Sequence, residues 1–205
     1  MKLSGTVALC LVLASCAVPA APGTRYVGAD AGYVVVALGT EVPAKYNGFF
    51  LNFRPKSPVA AQRDSSRDSW FDYQFVNRSG WGEAETDFKS HDEQGVVIVA
   101  SLAPGDYEIF ASGAYLWGVG PYSSRLDSVI PFSVSPGKTV YLGRYQAHWV
   151  KGHNLLGMPI NGGAEYSIRD EMTSDMEIAR KKGNALPLAV VNATPRVSEI
   201  RLPPS

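Results

Sequence analysis

The sequence predicts a mainly β fold, an antiparallel β-sandwich with one short C-terminal helix. Three observations carry this. Apolar or alternating runs recur between residues 33 and 150, each bounded by Gly or Pro. Two Pro-Gly turns, at residues 103–106 and 135–138, separate strand-like runs. One segment near residue 174 carries both a helix start and a helix stop signal.

The elements follow in order. Residues 33–38 read Tyr-Val-Val-Val-Ala-Leu, a continuous apolar run of the kind found in a strand covered on both faces. Residues 49–53 put Phe49, Leu51 and Phe53 on one side of a second strand. Residues 54–68 are polar, hold two prolines and read as an exposed loop. Residues 70–76 alternate again, with Phe71, Tyr73 and Phe75 on the buried side and Trp70, Asp72 and Gln74 on the other. The acidic stretch 82–93 lacks a pattern and reads as a loop. Strands are expected at 96–102 and 107–117, joined by Ala103-Pro104-Gly105-Asp106. Pro at the second turn position presets φ and Gly at the third accepts positive φ, which suits a type II turn. Ser135-Pro136-Gly137-Lys138 repeats the device between strands at 129–134 and 139–150. Pro131 cannot donate to a ladder, so its strand belongs at an edge. In the last strand the apolar parity shifts from Val140 and Leu142 to Tyr145, Ala147 and Trp149. Gly143 stands where it changes, which predicts a bulge or sharp coil.

The helix is expected to start at Ser174, which with Glu177 matches capping-box spacing. Lys181 and Lys182 suit its negative end, Gly183 can supply the left-handed C-cap, and Pro187 prevents continuation. Residues 186–191 are apolar enough for an edge strand or a core cover, and 195–205 read as a flexible tail. The domain is therefore expected to span residues 25–194.

Residues 1–24 lie outside this pattern. Met1-Lys2 gives a minimal positive start and residues 7–14 a compact apolar run. A spanning helix needs roughly 20 apolar residues, and Pro19 and Pro22 end this one soon after Cys16. A removable leader fits better. Its close, Leu13-Ala14-Ser15-Cys16, resembles the lipobox of bacterial lipoproteins. That resemblance implies a signal peptide at 1–15, a diacylglycerol thioether on Cys16 with an added acyl chain such as palmitate, and a tether at 16–24. Two or three acyl chains anchor stably where one does not. Asp after the lipidated cysteine is the usual inner-membrane signal, so Ala17 favours the outer membrane of a Gram-negative envelope. The rival reading is ordinary cleavage after Val18-Pro19-Ala20, which would release a soluble chain.

Composition agrees with export. The only cysteines among 205 residues are Cys10 and Cys16, so a mature chain would hold no thiol for a disulfide or metal. Such a chain relies on its hydrophobic core, and 190 residues suffice for one domain. The 19 basic and 19 acidic residues give no net charge, which argues against a nucleic-acid partner.

Ser101-Leu-Ala-Pro-Gly-Asp-Tyr107, a following strand, and then Phe132-Ser-Val-Ser-Pro-Gly-Lys-Thr-Val-Tyr-Leu-Gly143 come in an order that resembles transthyretin-like or carboxypeptidase-regulatory-like domains of bacterial lipoproteins. The resemblance spans about residues 33–150. It implies a transthyretin-like or Ig-like sandwich and no particular activity.

Signals for chemistry are sparse. His91-Asp92-Glu93, with His148 and His153, offers metal-ligand types without the tight spacing of a zinc helix, and reads as a solvated loop with strand-end histidines. Ser79, Ser112, Ser123 and Ser124 lie in no nucleophile elbow. Gly118-Val-Gly120 lacks the strand-to-helix setting of a phosphate cradle, and the sequon Asn77-Arg-Ser79 is accidental in a bacterial envelope protein. No cofactor or metal is expected. Among the aromatics Trp70, Tyr115, Trp117, Tyr122 and Trp149, Trp70 and Tyr122 are taken as a shallow contact surface near one end of the sandwich for a protein or glycan partner. Two function classes follow. The preferred one is a non-enzymatic binding or structural lipoprotein. The other is an envelope hydrolase built on Asp72, Glu83, Glu85 and Asp92.

Overall fold

A computed structural model describes residues 26–44, 46–56, 69–74, 85–116, 120–153, 155–182, 186–196 and 199–201. In chain order the elements are β1 (Gly32–Glu41), β2 (Gly48–Pro55), β3 (Ser69–Gln74), β4 (Phe88–Lys89), β5 (Glu93–Leu102), β6 (Gly105–Leu116), β7 (Gly120–Val134), β8 (Thr139–His153), β9 (Pro159–Arg169), α1 (Met172–Lys181), β10 (Val190–Asn192) and β11 (Glu199–Arg201). Two sheets result. Sheet A runs β11-β9-β8-β1-β5-β4, with β10 also on β8, and sheet B runs β3-β2-β6-β7.

The alternation of β1 sets the layers. Val34, Val36 and Leu38 point into a core shared with Phe49, Leu51 and Phe53 of β2 and Phe71 of β3. Val35 and Ala37 point the other way, onto Met176 and Ala179 of α1. Sheet A is therefore covered on both faces, as the continuous apolar run of β1 requires. Rings fill much of the space between the sheets, with Phe53 stacked on Phe71 at 4.5 Å and Tyr107 on Phe132 at 5.4 Å.

Both Pro-Gly turns change sheets. One carries the chain from β5 in sheet A to β6 in sheet B, and the other returns it from β7 to β8. Across the first, the Tyr107 hydroxyl donates to the Ala103 carbonyl at 2.7 Å. Gly105, at φ +154°, already belongs to β6, so the type II turn expected at 103–106 is not formed there. Across the second, the Lys138 N–H reaches Ser135 O at 3.2 Å and Gly137 sits at φ +61°, as a type II turn needs. Pro131 lies in β7, at the edge of sheet B.

Four further expectations need correction. The sheets are not purely antiparallel, because β8 pairs parallel with both β1 and β10. Between β1 and β8 the chain passes through β2 and β3 of sheet B, β4 and β5 of sheet A, and β6 and β7 of sheet B, which supplies the long crossover that parallel neighbours require. The acidic loop contains β4, which pairs with Gly95 and Gln94. Residues 159–169, where no strand was foreseen, form β9 against β8. Residues 199–201 are not a free tail but pair with β9 as β11. Each of these strands is short of local signal and forms because a neighbouring edge needs partners.

Candidate functional site

Gly143 determines which side chains of β8 face outward. It adopts φ +101°, and the register of β8 slips by one residue against β1, with Val35 opposite Tyr141 but Ala37 opposite Arg144. This is the bulge that the parity change predicted. Val140 and Leu142 before it, and Tyr145 and Ala147 after it, all enter the core between the sheets. Tyr141 and Arg144 consequently point together toward α1.

Beneath α1 these two meet the largest group of buried polar side chains among the described residues. Asp175, in the first turn of α1, is fully buried. Its carboxylate accepts from the Tyr141 hydroxyl at 2.6 Å and from Arg144 through Nη2 and through Nε at 3.4 Å. Arg144 also reaches Glu93 Oε1 at 3.0 Å and Ser174 Oγ at 3.2 Å, and lies 4.1 Å from the Phe88 ring centroid. Glu93 in turn accepts from Arg169. The carboxylates beside Arg144 outweigh its desolvation and hold the guanidinium above its ordinary pKa. Burial pushes the Tyr141 phenol well up, and its bond to Asp175 adds to that.

The cluster also explains the helix start. The N-cap is Glu171, with no side-chain cap, so the capping box expected at Ser174 is not formed. The Tyr141 hydroxyl instead accepts the Glu171 N–H at 3.3 Å and Asp170 Oδ1 accepts the Met172 N–H at 3.2 Å. Ser174, inside the first turn, donates to the Glu171 carbonyl. At the far end Lys182 reaches Asp87 Oδ2 at 2.6 Å and the Val97 carbonyl at 2.9 Å. Asp87 also takes the Val97 N–H at 2.7 Å, covering the β5 edge where β4 stops. Gly183, the expected C-cap, lies outside the described residues.

This arrangement fastens a helix; every charge in it is already engaged. The other predicted residues do not assemble. Asp92 sits in a turn with Ser90, whose hydroxyl donates to it at 2.8 Å and holds its carboxyl low, while Glu93 turns to Arg144. His148 contacts Ser167 Oγ at 2.9 Å, and His91 and His153 are exposed. Among the described residues no three His, Cys, Asp or Glu side chains are placed to hold a metal. Ser112 is buried in β6. Of the hydrolase carboxylates, Asp72 is on β3 in sheet B, whereas Glu85 precedes β4 and Asp92 follows it in sheet A. A cleft of about 190 Å³ lined by Lys56, Asp106, Tyr107, Pro131, Phe132 and Ser133 is smaller than a typical ligand pocket.

Trp70 and Tyr122 occupy the two opposite edge strands of sheet B, paired with Asn52 and Ala114. With β2 and β6 between them, three strand spacings of about 4.8 Å separate the edges. Cys16, Ser79, Glu83 and Gly118 lie outside the described residues. Sequence reasoning missed the Arg144–Asp175 pair. The parity shift at Gly143 was the signal that could have turned Arg144 outward, but nothing local marks Asp175 as buried. Comparison with known protein families, curated proteins and solved structures finds no match.

Proposed function

We propose that this chain is a bacterial envelope lipoprotein, anchored through acyl chains on Cys16 and favouring the outer membrane, whose β-sandwich serves as a non-enzymatic binding or structural module. The sequence Leu13-Ala14-Ser15-Cys16 after a short apolar run carries the anchoring. The observation that carries the non-enzymatic part is the fate of the convergent charges. Arg144, Asp175, Glu93 and Arg169 neutralise one another against α1, and a catalytic site needs such groups open to a substrate.

The strand order bears on the kind of sandwich. An Ig constant domain keeps its first two strands in one sheet, whereas β1 and β2 stand in different sheets here. That favours the transthyretin-like reading over the Ig-like one. Trp70 and Tyr122 serve this reading as two separate contact candidates, one on each edge of sheet B, for a protein or glycan of the envelope.

The anchoring is tested by intact-mass measurement of the chain isolated from bacterial membranes, beside a Cys16→Ser variant. A start at Cys16 with added diacylglycerol and acyl mass, lost in the variant together with membrane retention, is the expected result. An unmodified start at Ala21 overturns it. For the module, the purified chain is expected to release no soluble fragments from peptidoglycan, whereas release that is lost in Glu85→Gln or Asp92→Asn would establish the hydrolase instead.

A further inference from the structure

We propose that the tip of the β8–β9 hairpin is a bilayer-binding element that inserts Leu155, Leu156 and Met158 into an anionic phospholipid surface. The first observation is exposure. Leu155 is fully open to solvent, Leu156 is 80% exposed and Met158 52%, whereas Leu38, Leu51, Leu102 and Leu142 are each 1% exposed. Three large apolar side chains within four consecutive residues form a patch, not scattered surface leucines.

The second observation is reach. The pairing of β8 with β1 ends at Thr40 opposite Ala147, but its pairing with β9 continues to His153 opposite Pro159. Residues 148–153 therefore carry the ribbon roughly 20 Å past β1 at about 3.3 Å per residue. A two-stranded ribbon is marginally stable in water alone, so an apolar crown on it gains from a cover.

The third is charge. Residues 151–161, the outer part of the arm, hold Lys151 and His153 and no Asp or Glu, in a chain with 19 basic and 19 acidic residues overall. That composition complements anionic headgroups. The apolar residues sit on a hairpin turn, with Gly157 between Leu156 and Met158. A protein partner would need a pocket cut to fit them, whereas a fluid bilayer needs none.

This contact is distinct from attachment at residue 16. Tyr33 pairs with Thr139, so the N-terminal end of β1 lies fourteen residues of β8 away from His153, about 46 Å by strand rise. The element does not depend on acylation.

The test uses the full chain carrying Leu156→Trp, with Leu188→Trp as the comparison because Leu188 is open at 90% exposure but lies outside the hairpin. Each signal is read as the difference from the parent chain, whose four tryptophans are Trp70, Trp81, Trp117 and Trp149. Both are mixed with phosphatidylcholine–phosphatidylglycerol vesicles, with and without brominated acyl chains. The expected result is a blue shift and quenching of the tryptophan at 156 but not at 188, with roughly tenfold weaker partitioning when Leu155→Asp and Met158→Asp are added. Absence of quenching at 156, or equal quenching at both positions, overturns the proposal. Repeating the measurement in Cys16→Ser separates the two membrane contacts: quenching at 156 that persists without the acylated cysteine reports the tip alone.

Discussion

The Arg144 guanidinium closes on the fully buried Asp175 carboxylate, with Nε 3.4 Å from Oδ2. These residues sit on opposite sides of the interface between α1 and sheet A, and Arg144 also stacks on Phe88. That ring lies over the Gly39–Gly95 pair, where a Cβ at Gly95 would stand 2.5 Å from Phe88 Cζ. The bulge, the glycine pair and the helix are thus coupled through one arginine.

Asp175→Ala should be costly and the cost should be recoverable. Removing one partner leaves a buried cation under-compensated, which is worth about 3–5 kcal/mol, whereas replacing both charges by apolar groups of similar volume is often neutral. Urea unfolding of Asp175→Ala and of the double variant Arg144→Met/Asp175→Leu checks this, with most of the stability expected back in the double. A double variant as unstable as the single would show that the pair itself, and not the avoidance of a lone charge, stabilises the fold.

Gly143→Ala should destabilise by roughly 1–3 kcal/mol, since the position combines left-handed backbone with crowding. A Cβ there would lie 3.0 Å from Ile168 Cγ2 and 3.0 Å from Thr194 Cγ2. Thermal unfolding should show a Tm several degrees lower. An unchanged Tm would mean that the bulge relaxes without strain.

Alkali should unfold the protein. Burial raises the phenols of Tyr46, Tyr141, Tyr145 and Tyr166, with nearby Glu41 adding to the shift at Tyr46 and nearby Asp175 at Tyr141. Folded values above the unfolded one near 10 mean that this stability is fully present below pH ~10 and lost as pH rises beyond it. Absorbance at alkaline pH should register the partly exposed tyrosines first and the buried group together with loss of structure. Smooth titration of all ten tyrosines in a still-folded chain would contradict it.

At the other end of α1, Asp87→Ala should cost more than Lys182→Met. Lys182 is partly exposed, so its ion pair is worth less than about 1 kcal/mol. The Val97 carbonyl that it also reaches loses one donor in Lys182→Met, while the Asp87–Val97 N–H bond stays in place. Asp87 in addition accepts the Val97 N–H, whose loss costs about 1–3 kcal/mol. Hydrogen exchange at Val97 should quicken in Asp87→Ala and change little in Lys182→Met.

What the sequence determined by itself is what local pattern can encode. The β class, the type II turn at Gly137, Pro131 at an edge and the bulge at Gly143 all follow from alternation, from φ preferences and from a missing donor, which are properties of a few consecutive residues. Phe49, Leu51, Phe53 and Phe71 were legible as core for the same reason. Tertiary structure alone decided the rest. The parallel pairing of β1 with β8, the strands β4, β9 and β11, and the true start of α1 depend on which edge or hydroxyl comes within reach. Asp175 is buried because Tyr141 and Arg144 arrive from 31 or more positions away, and no local spacing records that arrival.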